Sequence, residues 1–374
     1  MRFRAIVLLL SCMPIFPSGQ AQTVIANANL TDAKLVAPGI GWALKDAEVD
    51  NGYLWWTEDG GGHWQNITPH TQRIESIVSV YFRDSRVGWA LLAGPRVGNT
   101  YQFDLASTTS AGSSWSIHRI LVVRGGSLPI DGASGSVFFV DSLHGWVDLA
   151  PWTGMPHSGQ PDSHLLKTSN GGITWEEGKD PDDGLALTLL DENTALIAGE
   201  DSNGVSITRN GARTWDRLSF PVPEEFSKWI DPRSYPHVST PIFEDARHGY
   251  ETVVYNAAGL SLRSAAVLFE TLDGGTNWKA RAILSDLQGN LDPPFSSTVT
   301  DSTWLIARRP EGGLPVLTAL HKGDQVRGIS EPSAGYQSEI ELSFIDPLRG
   351  WVLVKGALLA TQDGGVTWKA ISPR

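Results

Sequence analysis

The sequence predicts an all-β fold, a seven-bladed β-propeller of four-stranded antiparallel blades, and three observations lead there. One turn motif recurs six times. An aromatic–glycine motif recurs seven times upstream of it. Steps between the latter run from 47 residues (Trp42 to Trp89) to 57 (Trp89 to Trp146), which is room for about four short strands per unit, the size of a propeller blade.

The turn motif is clearest in Thr57-Glu-Asp59-Gly-Gly61-Gly-His-Trp64, Thr168 to Trp175, Thr271 to Trp278 and Thr361 to Trp368. Weaker copies run from Thr108 to Trp115, with Ser110 and Gly112, and from Thr208 to Trp215, where Asn210 is kept and Ala212 replaces the second glycine. An Asp or Asn side chain accepts backbone N–H bonds and glycine takes the positive φ that closes a hairpin. Asp59, Asn170, Asn210, Asp273 and Asp363 are therefore read as structural turn residues. The tryptophan that ends the motif is expected to pack across its hairpin.

The second motif is an apolar residue, any residue, Asp, three residues, then Gly-Trp. It reads Phe82 to Trp89, Phe139 to Trp146, Phe243 to Tyr250 and Phe344 to Trp351, with Leu35 to Trp42 keeping the spacing. Leu189 to Ala195 and Val299 to Trp304 read as shortened copies. Each repeat thus supplies a strand ending at the aromatic, a strand from Gly-Trp, a strand entering the threonine and a strand leaving the last tryptophan. Trp146 and Trp351 are expected to be buried on the second strands of their blades.

The chain has 374 residues, 39 of them Gly, 22 Pro and 15 Trp, and repetition holds such a length in one domain. Residues 1–21 read as an export signal, with Arg2 and Arg4 before an apolar stretch and Gly19-Gln20-Ala21 as a cleavage site, leaving 22–374 as a single domain outside the cytoplasm. An alternative takes Leu9-Leu10-Ser11-Cys12 as a lipoprotein site that anchors Cys12. Cys12 is the only cysteine, so no internal disulfide forms. A net charge of −12 without basic runs argues against nucleic acid, and no apolar run beyond the N-terminus has the length of a membrane span.

At these motifs the chain resembles the Asp-box, or bacterial neuraminidase repeat, propellers, and it is most similar to the photosystem II stability and assembly factor family. The resemblance covers residues 30–372. It implies a propeller whose function is not set by the turn, since sialidases, xyloglucanases, receptors and non-enzymatic binders all carry it. In a photosynthetic source it implies a photosystem subunit as partner.

Both motifs fall on turns that share one face of the blade. The opposite face carries the long variable loops, where function more often lives. Candidate binding residues there are Trp152, Trp229, Arg233, Tyr235, Arg308 and Arg309, suited to a protein or cell-surface glycan ligand. Trp152, His157, Asp162 and His164 match no firm metal spacing, and neither metal nor cofactor is expected. Asp46, Glu48, Asp50, Asp148, Glu200 and Asp201 follow Gly-Trp strands toward that mouth, yet no spacing singles out a catalytic pair. Arg119-Ile120 is followed by Leu121, so the sialidase Arg-Ile-Pro signature is missing. The expectation is a non-enzymatic scaffold, with a sialidase- or xyloglucanase-type glycoside hydrolase as the alternative.

Overall fold

The computed structural model describes residues 29–373, apart from 46–52, 71–75, 95–99, 125–131, 153–163, 180, 182–183, 200–203, 225–236, 239–240, 257–262, 289–295, 300–301, 308–315, 322–324, 331–339 and 355. The N-terminal 1–21 segment, with Cys12, lies outside the described residues. Within them the regular elements are all strands, and no helix is long and apolar enough to cross a membrane.

The strands hydrogen-bond in chain order. The first sheet holds β1 (Leu30–Ala37), β2 (Ile40–Lys45), β3 (Tyr53–Thr57) and β4 (Gln65–Asn66); the second holds β5 (Ser76–Phe82), β6 (Gly88–Ala93), β7 (Thr100–Thr108) and β8 (Ser116–Arg124). The third holds β9 (Gly132–Phe139), β10 (Gly145–Trp152), β11 (His164–Thr168) and β12 (Glu176–Gly178), and the fourth β13 (Gly184–Leu189), β14 (Ala195–Gly199), β15 (Val205–Thr208) and β16 (Asp216–Arg217). Then come β17 (His237–Val238), β18 (Ile242–Phe243), β19 (Gly249–Asn256), β20 (Arg263–Thr271) and β21 (Lys279–Gln288). The last two sheets are β22 (Ser296–Val299), β23 (Ser302–Ala307), β24 (Val316–His321), β25 (Gln325–Ser330), and β26 (Ile340–Phe344), β27 (Gly350–Val354), β28 (Ala357–Thr361), β29 (Lys369–Ala370).

The expectation of seven four-stranded blades is corrected by this topology: there are six four-stranded blades, and the remaining sheet has five strands. There β17 and β18 both pair with β19, through His237–Val254 and Phe243–Gly249. Pro241 stands between the two pieces, and without an N–H it interrupts the ladder. One motif is also corrected. Leu189 pairs with Ala195 just as Phe139 pairs with Gly145, so the fourth sheet's copy is full length, with Ala195 at the glycine position and Leu196 at the tryptophan position.

Strand propensity alone does not explain the Gly-Trp pair; packing does. A Cβ on Gly145 would come within 2.4 Å of the Phe139 ring, and Gly88, Gly249 and Gly350 stand in the same way against Phe82, Phe243 and Phe344. The glycine makes room for the aromatic directly across the ladder, which covers it. The residue after it turns into the core: Trp42, Trp89, Trp146, Tyr250 and Trp351 are all buried.

The innermost strands line a central axis, with β5 beside β9, β9 beside β13, β22 beside β26 and β26 beside β1. The first and last sheets are each built from consecutive strands, so the ring closes without exchanging a strand. A shared apolar cluster joins them, containing Leu30, Leu35 and Ala43 from the first sheet and Trp351, Leu353 and Ile371 from the last. The Leu35 N–H also donates to Ser343 Oγ at 3.2 Å, and Trp64 Nε1 to the Ile371 carbonyl at 2.8 Å.

Candidate functional site

The two ends of the blades are built differently. On one end the first-to-second and third-to-fourth turns of six of the seven sheets are tied together by a backbone bond. Gly60 N donates to Gly39 O, Ala111 N to Arg86 O, Gly171 N to Leu143 O, Gly211 N to Asn193 O, Gly274 N to Arg247 O and Gly364 N to Leu348 O.

Side chains complete each turn. The threonine hydroxyl of Thr57 donates to Asp59 Oδ1 and accepts from Gly61 N at 3.0 Å, while Asp59 Oδ1 accepts from His63 N. The residue four past the Asp or Asn is its chemical complement. Asn170 Nδ2 donates to Thr174 Oγ1, Asn210 Nδ2 to Thr214 Oγ1, Asn277 Nδ2 to Asp273 Oδ2, and Thr367 Oγ1 to Asp363 Oδ2, all at 2.7 Å. Donation from the Asn277 side chain and N–H holds the Asp273 carboxyl at about 2, and the His63 ring holds Asp59 far below the usual carboxylate range.

The upstream aspartates do the same for their own turns. Asp141 Oδ1 accepts from Leu143 N and His144 N, and Asp346 Oδ1 from Leu348 N and Arg349 N. Desolvation pushes Asp141 up, but donation from the His144 ring and the two N–H groups outweighs it and leaves the carboxyl at about 2. In return the Asp141 hydrogen bond raises His144. These acids are ionised and fully engaged, a state suited to holding backbone rather than to moving protons.

The turn tryptophans reach further than a hairpin. Trp175 and Trp278 donate to carbonyls of their own turns, Gly172 and Gly275, but Trp115 donates to Ile67 O and Trp215 to Lys179 O on the preceding blade. They bind neighbouring blades together as well as closing their own turns.

The opposite end carries the mouth of the central axis. Of the binding residues expected there, Trp229, Arg233, Tyr235, Arg308 and Arg309 lie outside the described residues, as do Asp46, Glu48, Asp50, His157, Asp162, Glu200 and Asp201. Trp152 is not on a loop; it is the last residue of β10, paired with Gly132. His164 opens β11 and meets Glu177 Oε1 across the ladder at 3.1 Å. Asp148 sits inside β10 opposite Ser136 and Leu165 and is buried, so it does not face the mouth.

Two acids that the sequence reading passed over do meet at that end. Asp32 is on β1 and Glu341 on β26, the innermost strands of the first and last sheets, and their side chains are hydrogen-bonded to each other. The placement follows from the strands: Ser343 lies against Leu35, so Glu341, two residues earlier on the same face, lies beside Ala33. Asp32 is half-buried and Glu341 is exposed. Desolvation raises both carboxyls; the charge of Asp32 raises Glu341 further, and Lys34 opposes both shifts. Two carboxyls in contact cannot both ionise readily, so they share a proton. Nothing local marks them in the sequence, because they stand at opposite ends of the chain.

No family model and no curated protein matches the chain. Solved structures do. A structure described as YCF48 bound to D1 peptide is 20% identical with a TM-score of 0.54, covering 91% of this chain and 96% of that one. YCF48 from Cyanidioschyzon merolae is 17% identical with a TM-score of 0.49, covering 83% and 89%. A propeller-containing match from a study of two prolyl endopeptidases is 13% identical with a TM-score of 0.58, and the chain spans 49% of its length. The likenesses with TM-scores of 0.54 and 0.58 agree with the β-propeller fold.

Proposed function

We propose that the chain is a non-enzymatic propeller scaffold that binds a protein partner, as an extended segment, across its variable-loop face. The observation that carries this reading is the asymmetry of the two ends. Turn hydrogen bonds consume the polar side chains of the motif-bearing end, whereas the sequence assigns Trp229, Arg233, Tyr235, Arg308 and Arg309 to the long variable loops. The likeness to a propeller solved with a bound peptide supports a peptide over a glycan. The repeated Thr-x-Asp-Gly-Gly turns support placement among the Asp-box propellers and an assembly-factor-like role, and the export signal supports action outside the cytoplasm.

A glycosidase needs two carboxyls roughly 5–9.5 Å apart across its pocket. Among the described residues, Asp148 is buried in its sheet, and Asp32 and Glu341 lie too close together for that spacing. Affinity capture from envelope extract, run beside a glycan array and a polysaccharide hydrolysis panel, tests the reading. Capture of one protein, lost on Trp229→Ala with Arg233→Ala, is expected. Hydrolysis lost on changing a single mouth carboxylate would overturn it.

A further inference from the structure

The seam between the third and fourth sheets carries a histidine held at both ring nitrogens. His144 ends the β9–β10 turn, just before Gly145, at the motif-bearing end of the third sheet. Its Nδ1 lies 2.9 Å from Asp141 Oδ2 in the same turn, and its Nε2 lies 3.3 Å from Glu192 Oε2 in the β13–β14 turn of the fourth sheet. An ionised carboxylate only accepts, so serving both acids at once takes two N–H donors, which the imidazolium has and the neutral ring lacks. The fifth sheet places a histidine at the same point of the repeat, but His248 lies between Glu244 and Glu270 of its own sheet. The last sheet has Arg349 there, 2.6 Å from Asp346 of its own turn. Of these three, His144 is the one that spans two sheets.

We propose that His144 is a proton-operated clasp between the third and fourth sheets. Charged, it joins the Asp141 turn to Glu192. When the proton leaves to solvent, one N–H remains, the ring keeps a single carboxylate, and the motif-bearing end of the seam loosens. Two neighbouring contacts cross the same seam and register the change: the Lys179 N–H donates to the Ala212 carbonyl at 2.9 Å, and the Trp215 indole donates to the Lys179 carbonyl at 2.6 Å.

The other charged groups around the seam are engaged elsewhere. In the third sheet, Lys167 Nζ reaches the Gly211 carbonyl at 3.0 Å and Glu176 at 3.8 Å. In the fourth, Asp191 accepts from the N–H groups of Asn193 and Thr194 within its turn, and Arg209 reaches away to the Gly274 carbonyl of the fifth sheet, with Arg213 further along the same turn. On the far side, in the second sheet, Arg83 pairs with Asp84 at 3.0 Å, with Arg86 two residues on. The Asp141 hydrogen bond raises His144 against an opposing desolvation, and the charges of Asp141 and Glu192 add to the rise. The folded state therefore holds this proton more tightly than the unfolded chain. The contribution of the clasp is complete below the ordinary histidine value of 6.5 and is lost as pH rises through the higher folded-state value.

The experiment follows the His144 ring by NMR in the full chain from about pH 5 to 9, with hydrogen exchange measured alongside. The Lys179 amide and the Trp215 indole N–H report the seam, and the Trp115 indole, bonded to the Ile67 carbonyl across the first two sheets, serves as control. After correction for the intrinsic rate, seam protection should fall about two- to fivefold relative to the control as pH rises, the size of effect an exposed ion pair supplies. Glu192→Gln should lower the His144 midpoint and flatten that fall. His144→Arg, which copies the Arg349–Asp346 pair and keeps its charge, should hold seam protection level over the same range. A His144 midpoint unmoved by Glu192→Gln, or seam protection that tracks the control in wild type, overturns the clasp.

Discussion

The closing seam and the seam between the third and fourth sheets solve one packing problem with opposite residues. Each packs two tryptophans together, Trp351 with Trp64 tilted at 5.9 Å and Trp146 edge-on to Trp215 at 6.5 Å, and each ties the turn tryptophan to a carbonyl of the neighbouring sheet. At the closing seam the neighbour offers Ile371, and a Cβ on Gly61 would stand 2.5 Å from it. At the other seam the turn carries Ala212, buried, with φ 62, and the neighbour opposite is Gly178, whose own Cβ would meet Ala212 at 2.8 Å. Bulk has moved from one side of the contact to the other. The same exchange occurs within blades, where Phe139 over Gly145 becomes Leu189 over Ala195. What the fold requires is a summed volume, and the motif is one way of supplying it.

If the two seams are equivalent in energy, Trp351→Ala and Trp146→Ala should each cost about 3–5 kcal/mol, because both rings are buried and their removal leaves cavities. Urea melts of the pair make the comparison. A Trp146 variant losing less than half as much as Trp351 would show that the polar links of the inner seam, such as Lys167 Nζ to Gly211 O, share its load.

The glycine positions sharpen the argument. Gly61→Ala meets Ile371 and forces an alanine to φ 88, so it should cost about 2–4 kcal/mol. Within a blade, Gly145→Ala should cost about 1–3 kcal/mol by driving its methyl into the Phe139 ring. Adding Phe139→Leu recreates the Leu189–Ala195 pair, and the double variant should recover part of that loss; strict additivity in the cycle would refute volume exchange. By contrast Ala212→Gly relieves a left-handed backbone but vacates a buried methyl, and the two should nearly cancel, within about 1 kcal/mol.

The smallest effect concerns acid. Asp273 has its carboxyl lowered from 3.8 to about 2 in the folded state, so its contribution is present above pH 4 and is lost as pH falls toward 2. Asn170 and Asn210 make equivalent turns without titrating. Asp273→Asn should move the acid-unfolding midpoint slightly to lower pH, followed by tryptophan fluorescence. No change would mean that the exposed turns do not limit acid stability.

The sequence by itself determined what is local: four strands to a repeat, the turns around Asp59, Asn170, Asn210, Asp273 and Asp363, and the burial of tryptophans such as Trp146 and Trp351. Each depends on residues within a few positions of one another, where spacing and backbone chemistry leave few alternatives. Only the tertiary structure decided what joins distant parts. It split the inner strand of the fifth sheet at Pro241, aimed Trp115 and Trp215 at preceding blades, drew Trp152 into β10, and set Asp32 against Glu341. Those contacts form because the ring sets neighbouring sheets side by side and the first against the last, and no period in the sequence records which side chains then share a space.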